Sequence, residues 1–205
     1  MKTSSIPQDK WIDVYNSVVL LYFFCHEYEN NPASIQAINK RFNSFCSEKN
    51  IIGKDFHFEG GANTLSFCYL IIVRIIEIIN DAVNDDGDAR KQFFKSTLET
   101  AKQDGFTSFD DITAKHDIDI KTFADGGGKP DEEKLYQLFR HIRHSVSHCY
   151  YKIDLLQNKV DFKSVDPRTK IVKLDMAMPM YQLLTLTAQF GCWVNNTLHQ
   201  EHLLS

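Results

Sequence analysis

Between positions 140 and 148 the chain reads Arg-His-Ile-Arg-His-Ser-Val-Ser-His, with two arginines, three histidines and no acid. A helix face that only meets water normally intersperses charges of both signs, so this density of cationic and titratable groups points to anion binding. Arginine stays charged and offers a planar fork that matches two phosphate oxygens. Histidine, with a reference pKa of about 6.5, can take or give a proton near neutral pH. Arg143, His144 and His148 are the candidate chemical groups, with Arg140, His141 and Ser147 beside them.

A helix must carry this segment. At about 100° per residue, Leu135, Leu138, Phe139, Ile142 and Val146 share one arc, and Arg140, His141, Arg143, His144, Ser147 and His148 fill most of the other. The helix is expected from Asp131 to about Cys149, started by Pro130 and by Asp131, Glu132 and Glu133, where its dipole favours acids. The i, i+5 spacing sets Arg143 and His148 about 140° apart on an ideal helix. They converge on one phosphate only across a dimer cleft or where the helix distorts near Cys149.

Around this segment the apolar spacing predicts helices over about 10–29, 34–49, 64–80 and 89–102, and a last one over about 179–195. Residues 104–130 have weak periodicity and end in Gly126-Gly127-Gly128-Lys129-Pro130, so an irregular surface insertion is expected there. After Cys149 the period becomes alternating, and Tyr151–Asp154, Val160–Ser164 and Lys170–Asp175 predict a small antiparallel meander. The expected fold is mainly α: one domain over residues 1–205, an antiparallel helical bundle with a short hairpin or meander before its last helix.

Arg143-His144-Ser145-Val146-Ser147-His148 resembles the R-x4-H motif of the HEPN superfamily (higher eukaryotes and prokaryotes nucleotide-binding), in which Asn, Asp or His commonly follows the arginine. The order of helices, hairpin and final helix is similar to that family's bundle over nearly the whole chain. The resemblance implies metal-independent cleavage of RNA, with Arg143 and His148 in the catalytic roles and no cofactor. Such cleavage needs a base for the ribose 2′-OH, an acid for the departing 5′-oxygen and a cation for the transition-state charge. It also implies a homodimer, in which His148 of each protomer, or His148 with His144, divides the proton transfers. Toxin–antitoxin and phage-defence roles, with an antitoxin protein as a possible partner, come from the same resemblance. A non-catalytic HEPN module that binds nucleotides, RNA or a protein is the alternative.

Other residues invite competing readings. His144 and His148 have the i, i+4 spacing of helical zinc ligands, but no glutamate of an HExxH motif lies between them and no third ligand is evident, so no metal site is expected. Arg74 and Glu77 interrupt an apolar helix and must face a partner or a cleft. Glu77 is a candidate for orienting Arg143 or His148, and Asn80 is a weaker one. Asn84-Asp85-Asp86-Gly87-Asp88 lacks the first and last ligands of a calcium loop, and the Gly126 to Lys129 run lacks the phosphate-loop spacing.

Composition sets the outer limits. A net charge of −4 excludes a protein that coats nucleic acid by bulk attraction, so any such site is local. Five scattered cysteines, with no CxxC pair, suggest neither a disulfide framework nor a zinc knuckle and fit a reducing cytoplasm. The apolar runs at 17–25 and 65–79 are expected to be core, because acids flank the first and Arg74 and Glu77 interrupt the second. No membrane association is expected.

Overall fold

The computed structural model describes residues 5–49, 61–83 and 86–204. Residues 50–60, and Asn84 and Asp85 of the Asn84-Asp85-Asp86-Gly87-Asp88 run, lie outside the described residues. Helices α1 (Gln8–Asn30) and α2 (Pro32–Glu48) come first. A continuous helical rod follows: α3 (Gly61–Cys68), a π-helical turn (Tyr69–Val73) and α4 (Arg74–Val83). Next are α5 (Gly87–Gln103), α6 (Phe109–Lys115), β1 (Asp119–Phe123) and α7 (Asp131–Ser147). Strands β2 (Tyr151–Asp154), β3 (Lys159–Val165) and β4 (Val172–Pro179) lead into α8 (Met180–Gln200). This is the mainly α architecture with a small antiparallel sheet that the periodicity predicts.

The rod begins at Gly61, ahead of the start expected near residue 64, and a Cβ at Gly61 would press on the side chains of Ile153 and Met180. Its π turn adds a residue to the helical repeat and rotates everything after it. Ile71, Ile72, Val73, Ile75 and Ile76 are therefore all buried, while Tyr69 and Leu70 are exposed. The π turn packs on α7, as do α3 and α4.

Helix α7 buries Leu135, Leu138, Phe139, Ile142 and Val146, the arc expected of it. Phe139 stacks on Phe190 of α8 with ring centroids 3.6 Å apart, and Phe94 of α5 packs edge-on against Tyr136. Beneath α7 lies the sheet, all antiparallel, in the order β1-β4-β3-β2. Val160, Phe162, Ser164, Leu174, Met176 and Met178 are buried along alternating positions, Ala177 is buried as well, and α7 packs on β3 and β4.

Residues 104–130 are not the irregular excursion expected of them. Ser108 caps α6 by accepting from the Asp111 N–H at 3.1 Å, and Phe106, Phe109 and Ile112 enter the core. Strand β1 then pairs with the free edge of β4, making the three-stranded meander a four-stranded sheet. A seven-residue helix spans only two turns, and a strand of five residues owes its order to its partner, so neither leaves a strong periodic signal.

Helix α1 crosses tightly over α8, where a Cβ at Gly191 would sit inside contact distance of Val18. Gly191→Ala should therefore cost about 1–3 kcal/mol through overpacking and lower Tm by several degrees. Adding Val18→Ala should recover part of the loss. A thermal melt of Gly191→Ala identical to wild type would show that α1 shifts freely.

Candidate functional site

Helix α7 ends at Ser147, earlier than its sequence suggests, and the way it ends shapes the site. His148 is the C-cap residue, and Cys149 takes a left-handed backbone with φ 56°. The Cys149 N–H donates to Val146 O at 3.4 Å and the Tyr150 N–H to Ser145 O at 2.8 Å. That pair of bonds is the Schellman closure, with cysteine where glycine is usual. The chain reverses there, so the rings of His144, His148 and Tyr150 gather at the helix end. Ring centroids are 4.5 Å apart for His144 and His148, 5.7 Å for His144 and Tyr150, and 5.9 Å for His148 and Tyr150.

On the neighbouring helix, Glu77 reaches Arg143. Arg143 Nη2 donates to Glu77 Oε1 at 3.4 Å, while Glu77 Oε2 accepts from Arg74 Nη1 at 3.0 Å. The π turn sets the phase of α4 and hence presents Glu77 to α7. Arg143 is part-buried, its side chain 35% exposed, and its Nε is buried with no hydrogen-bond partner. Ser145 Oγ and Asn80 Oδ1 are likewise buried without partners. The His144 pKa lies below the ordinary histidine value, through burial first and then through the charges of His148, Arg143 and Arg140.

A sequence model of the HEPN pEK499 p136 family matches residues 4–201. The chain is a HEPN protein of that family. No curated protein and no solved structure matches it at a significant level. The motif of this HEPN chain thus lies on a helix end whose last side chains, His144 and His148, stand together beside Tyr150, two residues past the motif. Tyr150 was missed in the sequence, where only its closeness to His148 could have marked it.

The remaining candidates divide. Arg140 is exposed, donates to Gln137 Oε1 at 2.9 Å and lies 3.9 Å from Asp125. Ser147 is half-buried at the last helical position. His141, expected on the exposed polar arc, is instead buried, with 5% of its surface exposed. Its Nδ1 is 3.0 Å from Ser164 Oγ and its Nε2 is 3.3 Å from Asp125 Oδ2. The wheel failed there because the sheet and the Asp125 turn cover that flank of α7 as well. Asp125 also binds Lys173 at 2.9 Å, so this cluster ties the β1 segment to α7 and β4. The order Asp125, His141, Ser164 resembles a nucleophile relay, but Ser164 is 2% exposed and faces no open space.

Among the described residues, no three His, Cys, Asp or Glu side chains stand together as a metal site, and no helix is long and apolar enough to cross a membrane.

Burial, followed by the Arg140 charge, pushes the His141 pKa down to about 4, so the folded protein holds it neutral. The sign follows from linkage: below the ordinary value near 6.5 the unfolded chain binds a proton that the folded one refuses, so stability falls as pH drops from about 6.5 toward 4. Between pH 7.5 and 5 the His141 contribution is about 2 kcal/mol. Denaturant titrations at both pH values should show that His141→Gln loses less stability over this range than wild type. Equal losses would mean that His141 protonates freely in the fold.

Proposed function

We propose that this HEPN protein is a metal-independent endoribonuclease that cleaves RNA by attack of a ribose 2′-OH on the adjacent phosphorus. The observation that carries the reading is the pair of imidazoles, His144 and His148, with centroids 4.5 Å apart at one end of the helix that also bears Arg143. Two proton-transfer groups are what the reaction needs and what one histidine cannot easily supply in a single step.

His144, held below the ordinary histidine pKa, is neutral at pH 7 and suited to accept the 2′-OH proton. The O2′ then forms a bond to phosphorus, the P–O5′ bond breaks, and His148 gives its proton to the departing O5′. The products are a 2′,3′-cyclic phosphate and a 5′-hydroxyl. Arg143 stabilises the negative charge that builds on the equatorial oxygens, and Glu77 holds the guanidinium in place. Arg140 and Ser147 extend the contact with RNA. His141 has no part in it, because it is buried against Ser164 and Asp125.

Helix α1 leaves Ile12, Val19, Leu20, Tyr22 and Phe23 about half exposed, which gives a homodimer an apolar surface to bury. A dimer that set the two motifs face to face would let His148 of each protomer divide the proton transfers. A toxin restrained by an antitoxin protein, or a phage-defence effector, in the cytoplasm, is the biological setting that fits such a nuclease. A second reading, a non-catalytic module binding RNA, nucleotides or a protein, draws support from the Glu77 carboxylate that already engages Arg143.

Purified protein should cleave single-stranded or loop RNA in the presence of EDTA, and strict dependence on a divalent ion would sink the mechanism. Arg143→Ala and His148→Ala should each lower the rate by about 10² or more, the usual loss for an electrostatic or acid–base group. His144→Ala should lose as much as His148→Ala if both work within one chain, and little if His148 of each protomer divides the proton transfers. Binding of RNA by wild type and all three variants, with equal background cleavage, would replace the nuclease with the binding module. Light scattering should give twice the chain mass at micromolar concentration, and a monomer with full activity would contradict the dimer.

A further inference from the structure

We propose that the groove on the outer face of the sheet is a binding site for single-stranded RNA, in which Tyr150 stacks on the base next to the scissile phosphate and Lys121, Lys152 and Lys163 meet the phosphates beyond it. The inference rests on the nuclease reading only for the nature of the ligand.

The groove starts where the motif ends. Cys149 and Tyr150, directly after His148, form part of its wall, with Tyr151, Lys152, Lys163 and Lys121 from β2, β3 and β1 along it. Its volume is about 450 Å3, within the range of about 300–1,000 Å3 usual for ligand sites. Val160, Phe162, Leu174, Met176 and Met178 of the sheet are buried in the core, while Val165 lines the groove beside the lysines.

Tyr150 is built as a platform. Its N–H donates to Ser145 O at 2.8 Å and its carbonyl accepts from the Lys163 N–H at 3.0 Å, so the backbone is fixed on both sides. The ring itself is left about half exposed (49%), within 6 Å of both histidines by centroid. A fixed, exposed aromatic ring beside the scissile position suits a nucleobase, and each such stack typically strengthens binding several-fold or more. Only an unstacked base can reach it, which selects single strands over duplex.

Charge supports the same occupant. Three lysines and two aspartates, Asp161 and Asp175, line the groove, giving 3 − 2 = +1 in a chain whose net charge is −4. Lys152 pairs in register with Asp161 and Lys163 with Asp175. Even so, Lys121, Lys152 and Lys163 form no ion pair among the described residues, unlike Lys102, Lys134 and Lys173. Their ammonium groups are left for phosphate.

The test is fluorescence anisotropy with a 2′-O-methyl oligoribonucleotide, which lacks the 2′-OH and cannot be cleaved. Wild type should bind it. Tyr150→Ala should weaken binding about tenfold and Tyr150→Phe by less than about twofold, because the ring and not the hydroxyl does the stacking. The triple variant Lys121→Gln, Lys152→Gln, Lys163→Gln should lower the slope of log affinity against log salt by about 2, at roughly 0.7 per phosphate contact. Circular dichroism of each variant should match wild type. Wild-type affinity and salt slope in both Tyr150→Ala and the triple variant would overturn the groove while leaving RNA cleavage intact. Failure of wild type to bind the oligonucleotide and to cleave RNA would overturn both readings. Unaltered oligonucleotide binding with loss of a protein partner in the triple variant would assign the groove to that partner instead.

Discussion

Everything in the candidate site hangs on the burial of one helix. The apolar arc of α7 is packed by the π turn, α5 and α8, with the Phe139–Phe190 stack inside, and the sheet closes another side through β3 and β4. A helix so enclosed cannot rotate without exposing several large side chains, each worth about 1.5–3 kcal/mol of burial. Its remaining strip is therefore fixed in direction. Arg143, His144, Ser147 and the C-cap His148 lie along that strip, and the rigidity of these candidate groups is inherited from the core.

The charges divide the helix into two ends with opposite characters. At its start Asp131 holds Lys134 and accepts from the Phe109 N–H, while Glu133 holds Lys91 and Lys129. These acids suit the positive end of the helix dipole and tie α7 to α5 and α6. At its finish the acid that meets the motif among the described residues is Glu77, and it is shared with Arg74. The result is a local cationic patch on a chain with an excess of acids, so a net charge of −4 is compatible with the anion chemistry proposed for it. Asp125 does a separate task, balancing Lys173 and Arg140 over the neutral His141.

The Schellman turn couples the helix to the sheet. Cys149 accepts the strain of a left-handed backbone, which an L-residue resists by roughly 1–2 kcal/mol, and in return the Tyr150 N–H closes on the helix and its carbonyl joins β3. One residue thus moves the chain from helix end to strand and turns the ring of Tyr150 toward the two histidines. A longer connection would leave that ring without a fixed place.

The amino-acid sequence by itself determined the helices of the bundle, the buried arc of α7, the three strands of the meander and the R-x4-H segment, because each is written in local periodicity or residue spacing. It also marked Glu77, since a carboxylate in an apolar helix must find a partner. What only the tertiary structure decided is what meets what. Burial of His141 depended on a turn brought up from another part of the chain, where a wheel drawn on α7 alone saw an open face. The order of α6 and β1 depended on contacts with the core and with β4 rather than on any period of their own. The ion pair of Glu77 with Arg143 depended on the phase set by the π turn, and the meeting of His144, His148 and Tyr150 on the left-handed backbone at Cys149. Periodicity reports which side of an element is apolar, but neighbours distant in sequence decide which polar side chains remain exposed and which of them touch.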